Sequence, residues 1–153
     1  MQRGSYMNVE VKQFKELSTL ELYEILRARA EVFIVEQDCV YQDLDNKDLG
    51  AYHVIIREDG DIVAYLRVLD KGVSYDTASV GRVITTEKGR GRGIGLVLLK
   101  EGLKVAKEAF GAERVTISAQ CQARGFYEKV GFSAVSDTYL EDNIPHIRMQ
   151  LDL

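Results

Sequence analysis

Seven residues, Gly89-Arg90-Gly91-Arg92-Gly93-Ile94-Gly95, constrain this chain more than any other stretch. Alternate glycines let the main chain turn sharply and approach a ligand with no Cβ in the way. The run separates an apolar segment, Ala78 to Thr85, from residues 94–110. There Ile94, Leu98, Val105, Ala106 and Ala109 share one helical face, and Gly111 is a natural stop. A strand, a bare turn and a helix start thus follow one another. The helix start offers unpaired N–H groups and the positive end of its dipole, and both favour a phosphate. Lys88, Arg90, Arg92 and Lys100 stand against Glu87 alone, a local positive surplus in a chain whose formal charge is −4. A diphosphate is the natural occupant; the plainer alternative is a solvated turn with a structural cap. Spacing excludes two common diphosphate sites. The dinucleotide fingerprint G-x-G-x-x-G, started at Gly89 or Gly91, ends on Ile94 or Leu96. A phosphate loop ends in Gly-Lys-Ser/Thr, a triplet the chain lacks.

The 153 residues are 46% hydrophobic and 29% charged with a single Pro, which excludes disordered and collagen-like chains. With no repeat or linker, residues 1–153 read as one domain. Residues 1–6 have no signal-peptide profile and precede a second methionine, Met7; they read as an appendage or a disordered lead. No apolar run approaches the roughly 18 residues of a membrane span. Two cysteines, Cys39 and Cys121, are too few for a disulfide framework and suggest a reducing, cytoplasmic setting. The acidic balance disfavours wholesale binding to nucleic acid or anionic membranes, and the Arg-Gly run is short for an RNA-binding element.

Periodicity supplies the remaining elements. Met7 to Phe14 alternates as a half-buried strand does. Ser18-Thr19-Leu20-Glu21 is a capping box opening a helix through Leu22, Ile25, Leu26, Arg29 and Phe33. Tyr52–Ile56 and Ile62–Leu69 flank Asp59-Gly60, a hairpin signal, because both turn residues tolerate positive φ. Ala78 to Thr85 and Val115 to Ala119 read as strands, and Ala123 to Lys129 as a short helix ended by Gly131. Ser133 to Tyr139 and His146 to Leu151 complete the set as two final strands. The order is strand, helix, three strands, helix, strand, helix, two strands.

Arg90-Gly91-Arg92-Gly93-Ile94-Gly95 resembles the R/Q-x-x-G-x-G/A signature of the GNAT (Gcn5-related) N-acetyltransferases, and Phe126-Tyr127-Glu128-Lys129-Val130-Gly131-Phe132 resembles the family's F-Y-x-x-x-G-F signature. Phe33-Ile34-Val35-Glu36-Gln37, Ser118-Ala119-Gln120 and Tyr139 to Ile147 are similar to the ElaA-like branch. The chain departs from the pattern at Thr85-Thr86-Glu87, and at Cys121 to Gly125, where a Gly stands in the helix. The resemblance implies an α/β (α+β) fold: a mixed, mostly antiparallel sheet of about six to seven strands, helices on both faces, splayed between the fourth and fifth strands. It also implies an acetyl-CoA-dependent N-acetyltransferase, with acetyl-CoA as cosubstrate and a primary amine of a small metabolite as acceptor. A protein lysine or N-terminal amine is the alternative acceptor, and a non-catalytic acyl-CoA-binding module the alternative class. Family members often dimerise, so a homodimer is an open expectation.

Roles follow from the same resemblance. Arg90, Gly91, Arg92, Gly93, Ile94 and Gly95 would hold the pyrophosphate. Main-chain amides of Val83, Ile84 and Thr85 would bond the pantetheine and the thioester oxygen, where plain strand pairing is the alternative. Gln120 matches a position close to the pantetheine. Tyr127 is the general acid for the departing thiolate, since a phenol stays protonated at neutral pH; a ring merely packed on the sheet is the alternative. His146 is the candidate base, or else an orienting group. His53 reads as a structural hydrogen-bonding group. Glu36 and Arg82 are expected at the substrate, Arg82 on an acidic group unless it simply pairs with a carboxylate. The acidic run from Glu36 to Asp48 is either a solvated loop or a mouth that attracts a cationic amine. Cys121 has no neighbouring base and reads as an inert thiol, and no His/Cys spacing suits a metal.

Overall fold

The alternation over Met7–Gln13 becomes β1, which runs antiparallel to β2 (Tyr52–Glu58) from Met7 opposite Glu58 to Gln13 opposite Tyr52. The structure, a computed structural model, describes residues 6–153. The expectation for residues 1–6 therefore falls outside the described residues except at Tyr6. That residue's N–H donates to Asp59 Oδ1 (3.1 Å), and its carbonyl accepts from Asp59 N–H (2.8 Å).

Asp59 and Gly60 adopt φ of +51° and +89° and turn β2 into β3 (Asp61–Leu69), as their residue types require. β4 (Ala78–Thr85) continues the antiparallel run, and β5 (Arg114–Gln120) then pairs with β4 in parallel. β6 (Ser133–Ala134) and β7 (Tyr139–Glu141) both pair with β8 (Ile144–Asp152). The sheet order is β1-β2-β3-β4-β5-β8-β6, with β7 beside β8.

Helices cover both faces. Val54, Ile56, Leu66 and Val68 face one way, into a core shared with Leu98, Leu99 and Ala106 of α2 (Ile94–Phe110) and Tyr127 of α3 (Arg124–Val130). Ile55 and Tyr65, one residue out of phase, pack on the other face with Ile25 and Ala28 of α1 (Thr19–Arg29). The Ser18 capping box closes as expected: Glu21 N–H donates to Ser18 Oγ (3.0 Å) and Ser18 N–H to Glu21 Oε1 (2.9 Å).

Two expectations are corrected. The first helix does not stay α-helical to Phe33: it changes at Ala30 to a π-helical stretch, Ala30–Glu36. Such wide turns concentrate at functional sites. Ser133 to Tyr139 is not one strand but the two short strands β6 and β7. Between them Ser136 Oγ accepts the Arg148 N–H (2.9 Å), which replaces a main-chain ladder bond and lets the chain leave β8 before rejoining it.

Candidate active site

β4 pairs with β5 at only two positions, Ala78 with Val115 and Ser79 with Thr116. Beyond them the strands part, as a bulge in β4 dictates. The register with β3 slips between Tyr65 and Arg67, and Arg82 takes φ +51°, a conformation that costs a non-glycine residue free energy. A cleft of about 300 Å³ fills the gap. Val83, Ile84 and Thr85 form one wall, on the edge of β4 that β5 no longer covers, and Ile117, Ser118 and Gln120 of β5 form the other.

Arg82 stays in this conformation because its guanidinium is held. Nε donates to Asp43 Oδ1 (2.7 Å) and Nη2 to the Asp43 carbonyl (2.9 Å) and to Asp45 Oδ2 (3.3 Å). Asp43 is shared with Arg29, which is fully buried and also donates to Asp48 Oδ1 (2.7 Å); Arg67 in turn joins Asp48 to Asp45. Three arginines thus neutralise three aspartates of the acidic run. Both readings of that run are corrected: it is neither a solvated loop nor a free negative mouth. Of the two readings of Arg82 the structure shows the pairing with carboxylates, and Glu36 pairs with Arg90.

This network gives the fold a pH dependence of definite sign. Burial alone would raise Asp45 and Asp48, but hydrogen bonds from Arg67 and Arg29 outweigh it and hold both below the ordinary carboxylate range. Burial lowers His53, assisted by the nearby Arg29 and Arg67 charges. His53 Nε2–H donates to the Asp48 carbonyl (3.0 Å) while Nδ1 accepts from Tyr65 Oη (2.7 Å), so the neutral ring is the one this site fits. The unfolded chain takes up a proton at His53 below about pH 6.5, and at the aspartates below about pH 4, before the native state does. Unfolding free energy is therefore expected to fall as pH drops below about 6.5 and to fall more steeply below about 4. Denaturant titrations at pH 7.5, 5.5 and 4 check this, and stability that rose on acidification would contradict it.

The glycine turn adjoins the cleft through Thr85 and Arg90. Gly91 and Gly93 take φ of +78° and +74°, Gly93 is the N-cap of α2, and no side chain caps the helix. A Cβ at either glycine would meet open space, so the turn is a bare concavity at a helix start without a side-chain cap, an arrangement that suits a phosphate. Gly89 has a different task. A Cβ there would lie 2.5 Å from the Val63 carbonyl oxygen, so glycine is needed for the turn to lie against β3.

Arg90 donates from Nε to the Thr85 carbonyl (3.1 Å) and from Nη2 to Glu36. Arg92 turns away from the cleft into a two-pronged pair with Glu58 (2.7 and 2.9 Å). The structure thus gathers Arg82, Val83, Ile84, Thr85, Arg90, Gln120, Tyr127 and His146 around the cleft. It leaves Glu36, Gly91, Arg92, Gly93, Ile94 and Gly95 outside its lining, with the Ile94 side chain in the core.

Tyr127 packs its ring edge-on to Phe126 and Phe132, and burial pushes its phenol up to about 12. His146, opposite Gln120 on β5, stacks on Tyr139 and donates from Nδ1 to the Ile144 carbonyl (2.6 Å). Sequence reasoning missed two of the cleft residues, Gln37 and Glu141. Gln37 and Gln120 bond through their side-chain amides (3.1 Å) across 83 positions, and Glu141 places Oε2 3.4 Å from His146 Nε2. The only sequence signal for them was membership of segments that carried the ElaA-like resemblance.

Among the described residues no group of three or more His, Cys, Asp or Glu could hold a metal, and no helix is long and apolar enough to cross a membrane. A family model described as an acetyltransferase (GNAT) domain matches residues 12–153. Protein ElaA of Escherichia coli (strain K12) is 38% identical over 136 residues, 88% of this chain and 89% of the relative. The crystal structure of E. coli ElaA superimposes with a TM-score of 0.88 at 34% identity, covering 95% of this chain and 99% of that one. An acyl-CoA N-acyltransferase from Pseudomonas aeruginosa gives the same score at 38% identity and the same coverage.

Proposed function

The chain belongs to the GNAT acetyltransferase family, and on that premise we propose that it transfers the acetyl group of acetyl-CoA to a primary amine of a small metabolite, by direct attack in a ternary complex. The observation that carries this reading is the cleft itself. Uncovered β4 main chain, a phenol and an imidazole meet in one space that runs on to an uncapped helix start.

Acetyl-CoA supplies an acetyl thioester, a carbonyl open to nucleophiles with sulfur as leaving group. Amides of the uncovered β4 edge over Val83–Thr85 bind the pantetheine arm and take the charge that develops on the carbonyl oxygen. Gly91, Gly93 and the first N–H groups of α2 hold the diphosphate, and Arg90, at the junction of turn and cleft, exchanges Glu36 for a phosphate. Arg92, committed to Glu58 on the far side, serves the turn and not the ligand. Gln120 faces the pantetheine beside Gln37. His146 Nε2 accepts the amine's proton and Tyr127 delivers one to the departing sulfur.

Direct attack is favoured by the state of the thiols. Cys39 lines the cleft but donates its proton to the Asp142 carbonyl (3.5 Å), and Cys121 lies outside the lining, so neither is presented as a thiolate nucleophile. Both cysteines are free, as suits the cytoplasm.

Calorimetry with coenzyme A and thiol release from acetyl-CoA over a panel of amines and peptides test the reading together. Binding with turnover on free amines is the expected result. No heat with coenzyme A overturns the reading, and binding without turnover on any acceptor makes the protein a non-catalytic acyl-CoA-binding module.

A further inference from the structure

Glu141 ends β7 with one carboxylate oxygen held by Ser118 and the other turned toward His146. Ser118 Oγ donates to Oε1 (3.2 Å) while accepting from the Tyr139 hydroxyl, and Oε2 lies 3.4 Å from His146 Nε2. The imidazole is fixed as well, by the Nδ1–H bond to the Ile144 carbonyl and by stacking on Tyr139. Because a carbonyl only accepts, the neutral ring carries its proton on Nδ1 and a lone pair on Nε2. A lone pair and a carboxylate oxygen thus face each other with no protein donor between them among the described residues. His146 is nearly buried while the Glu141 side chain is half exposed, so a ligand entering from solvent meets both. Other charges nearby do not alter this. Asp142 on the same turn adds a further negative group, and Arg82 and Arg90, the cations of the cleft, are held by Asp43, Asp45 and Glu36.

We infer that this pair of acceptors receives the acceptor substrate as its ammonium ion, one N–H going to His146 Nε2 and another to Glu141 Oε2, so that Glu141 selects amines that are cationic at neutral pH. The inference rests on the acyltransferase reading and names its substrate class. One ammonium proton passes to Nε2, and the imidazolium formed pairs with Glu141. The freed nitrogen lone pair makes the C–N bond to the acetyl carbon, the C–S bond breaks, and its electron pair stays on sulfur. The second proton shed by nitrogen balances the one that sulfur acquires, and the proton on His146 returns to solvent. A ring protonated before the amine arrives would satisfy Glu141 equally well but could accept nothing, which is why the neutral ring is the receptive state.

The test compares benzylamine, a cation at pH 7.5, with O-benzylhydroxylamine, which is neutral there and of nearly the same shape. In Glu141→Gln the preference for benzylamine, taken as the ratio of the two kcat/KM values, is expected to fall about tenfold or more, the loss read mainly in KM. Equal effects on both amines overturn the inference and leave acyl transfer intact. Should the wild type acylate neither of these two amines, a binding measurement decides the inference, and the acyltransferase reading is decided separately by the wider panel. Benzylammonium is expected to shift the His146 ring resonances of the wild type, whereas benzyltrimethylammonium, equally charged but without N–H, is not. No shift, or equal shifts from both cations, overturns it.

Discussion

Tyr127→Phe is expected to lower kcat about a hundredfold and to leave affinity for coenzyme A nearly unchanged, because in the proposed mechanism the substitution removes the proton donor and almost nothing else. The phenol ring is packed edge-on between Phe126 and Phe132, and a phenylalanine ring fills the same space. The hydroxyl has no hydrogen-bond partner among the described residues, so its removal strands no buried group. Burial keeps the phenol protonated far above neutral pH, as a donor must be when a thiolate departs. Steady-state turnover paired with calorimetry checks both halves of the expectation. Full turnover in the variant removes Tyr127 from the chemistry.

Arg29→Ala is the second large effect, and it acts on the fold. The guanidinium is fully buried and binds Asp43 Oδ2 (3.0 Å), the Asp43 carbonyl (3.2 Å) and Asp48 Oδ1 (2.7 Å). Burial works against its charge, but the Asp48 hydrogen bond and the neighbouring carboxylates outweigh that and leave the group firmly protonated. Removing it leaves two buried carboxylates short of a partner, a defect that typically costs about 3–5 kcal/mol. For a chain of this size that corresponds to a melting temperature lower by roughly 10 °C or more. Turnover falls with it, because Asp43 also holds Arg82 in the β4 bulge. Circular dichroism melts decide the matter, and an unchanged midpoint would show that the network contributes little.

The elements that were legible in the sequence are those whose cause is local. The Ser18–Glu21 box, the Asp59-Gly60 turn and the apolar face of α2 each lie within a few residues, where spacing alone dictates geometry. The glycine turn was legible as a turn, but not in its division of labour: Gly89 serves packing against Val63, while Gly91 and Gly93 serve the bare concavity. The acidic run misled for the opposite reason. Its partners Arg29, Arg67 and Arg82 come from α1, β3 and β4, and a charge count says nothing about which distant arginines the topology will deliver. Glu141 was hidden in the same way. Its meaning depends on Ser118, 23 positions away, and on a hairpin that folds His146 back beside it.

The two rungs between β4 and β5 have a mechanical consequence. β1–β4 and β5–β8 are two half-sheets tied at one end, so the seam between them is where the sheet can breathe with the fewest main-chain bonds to break. On the proposed reading, an acyl carrier lodged in that seam would act as a keystone, taking up rungs that no strand supplies, and the fold is expected to grow more resistant to unfolding as coenzyme A is added.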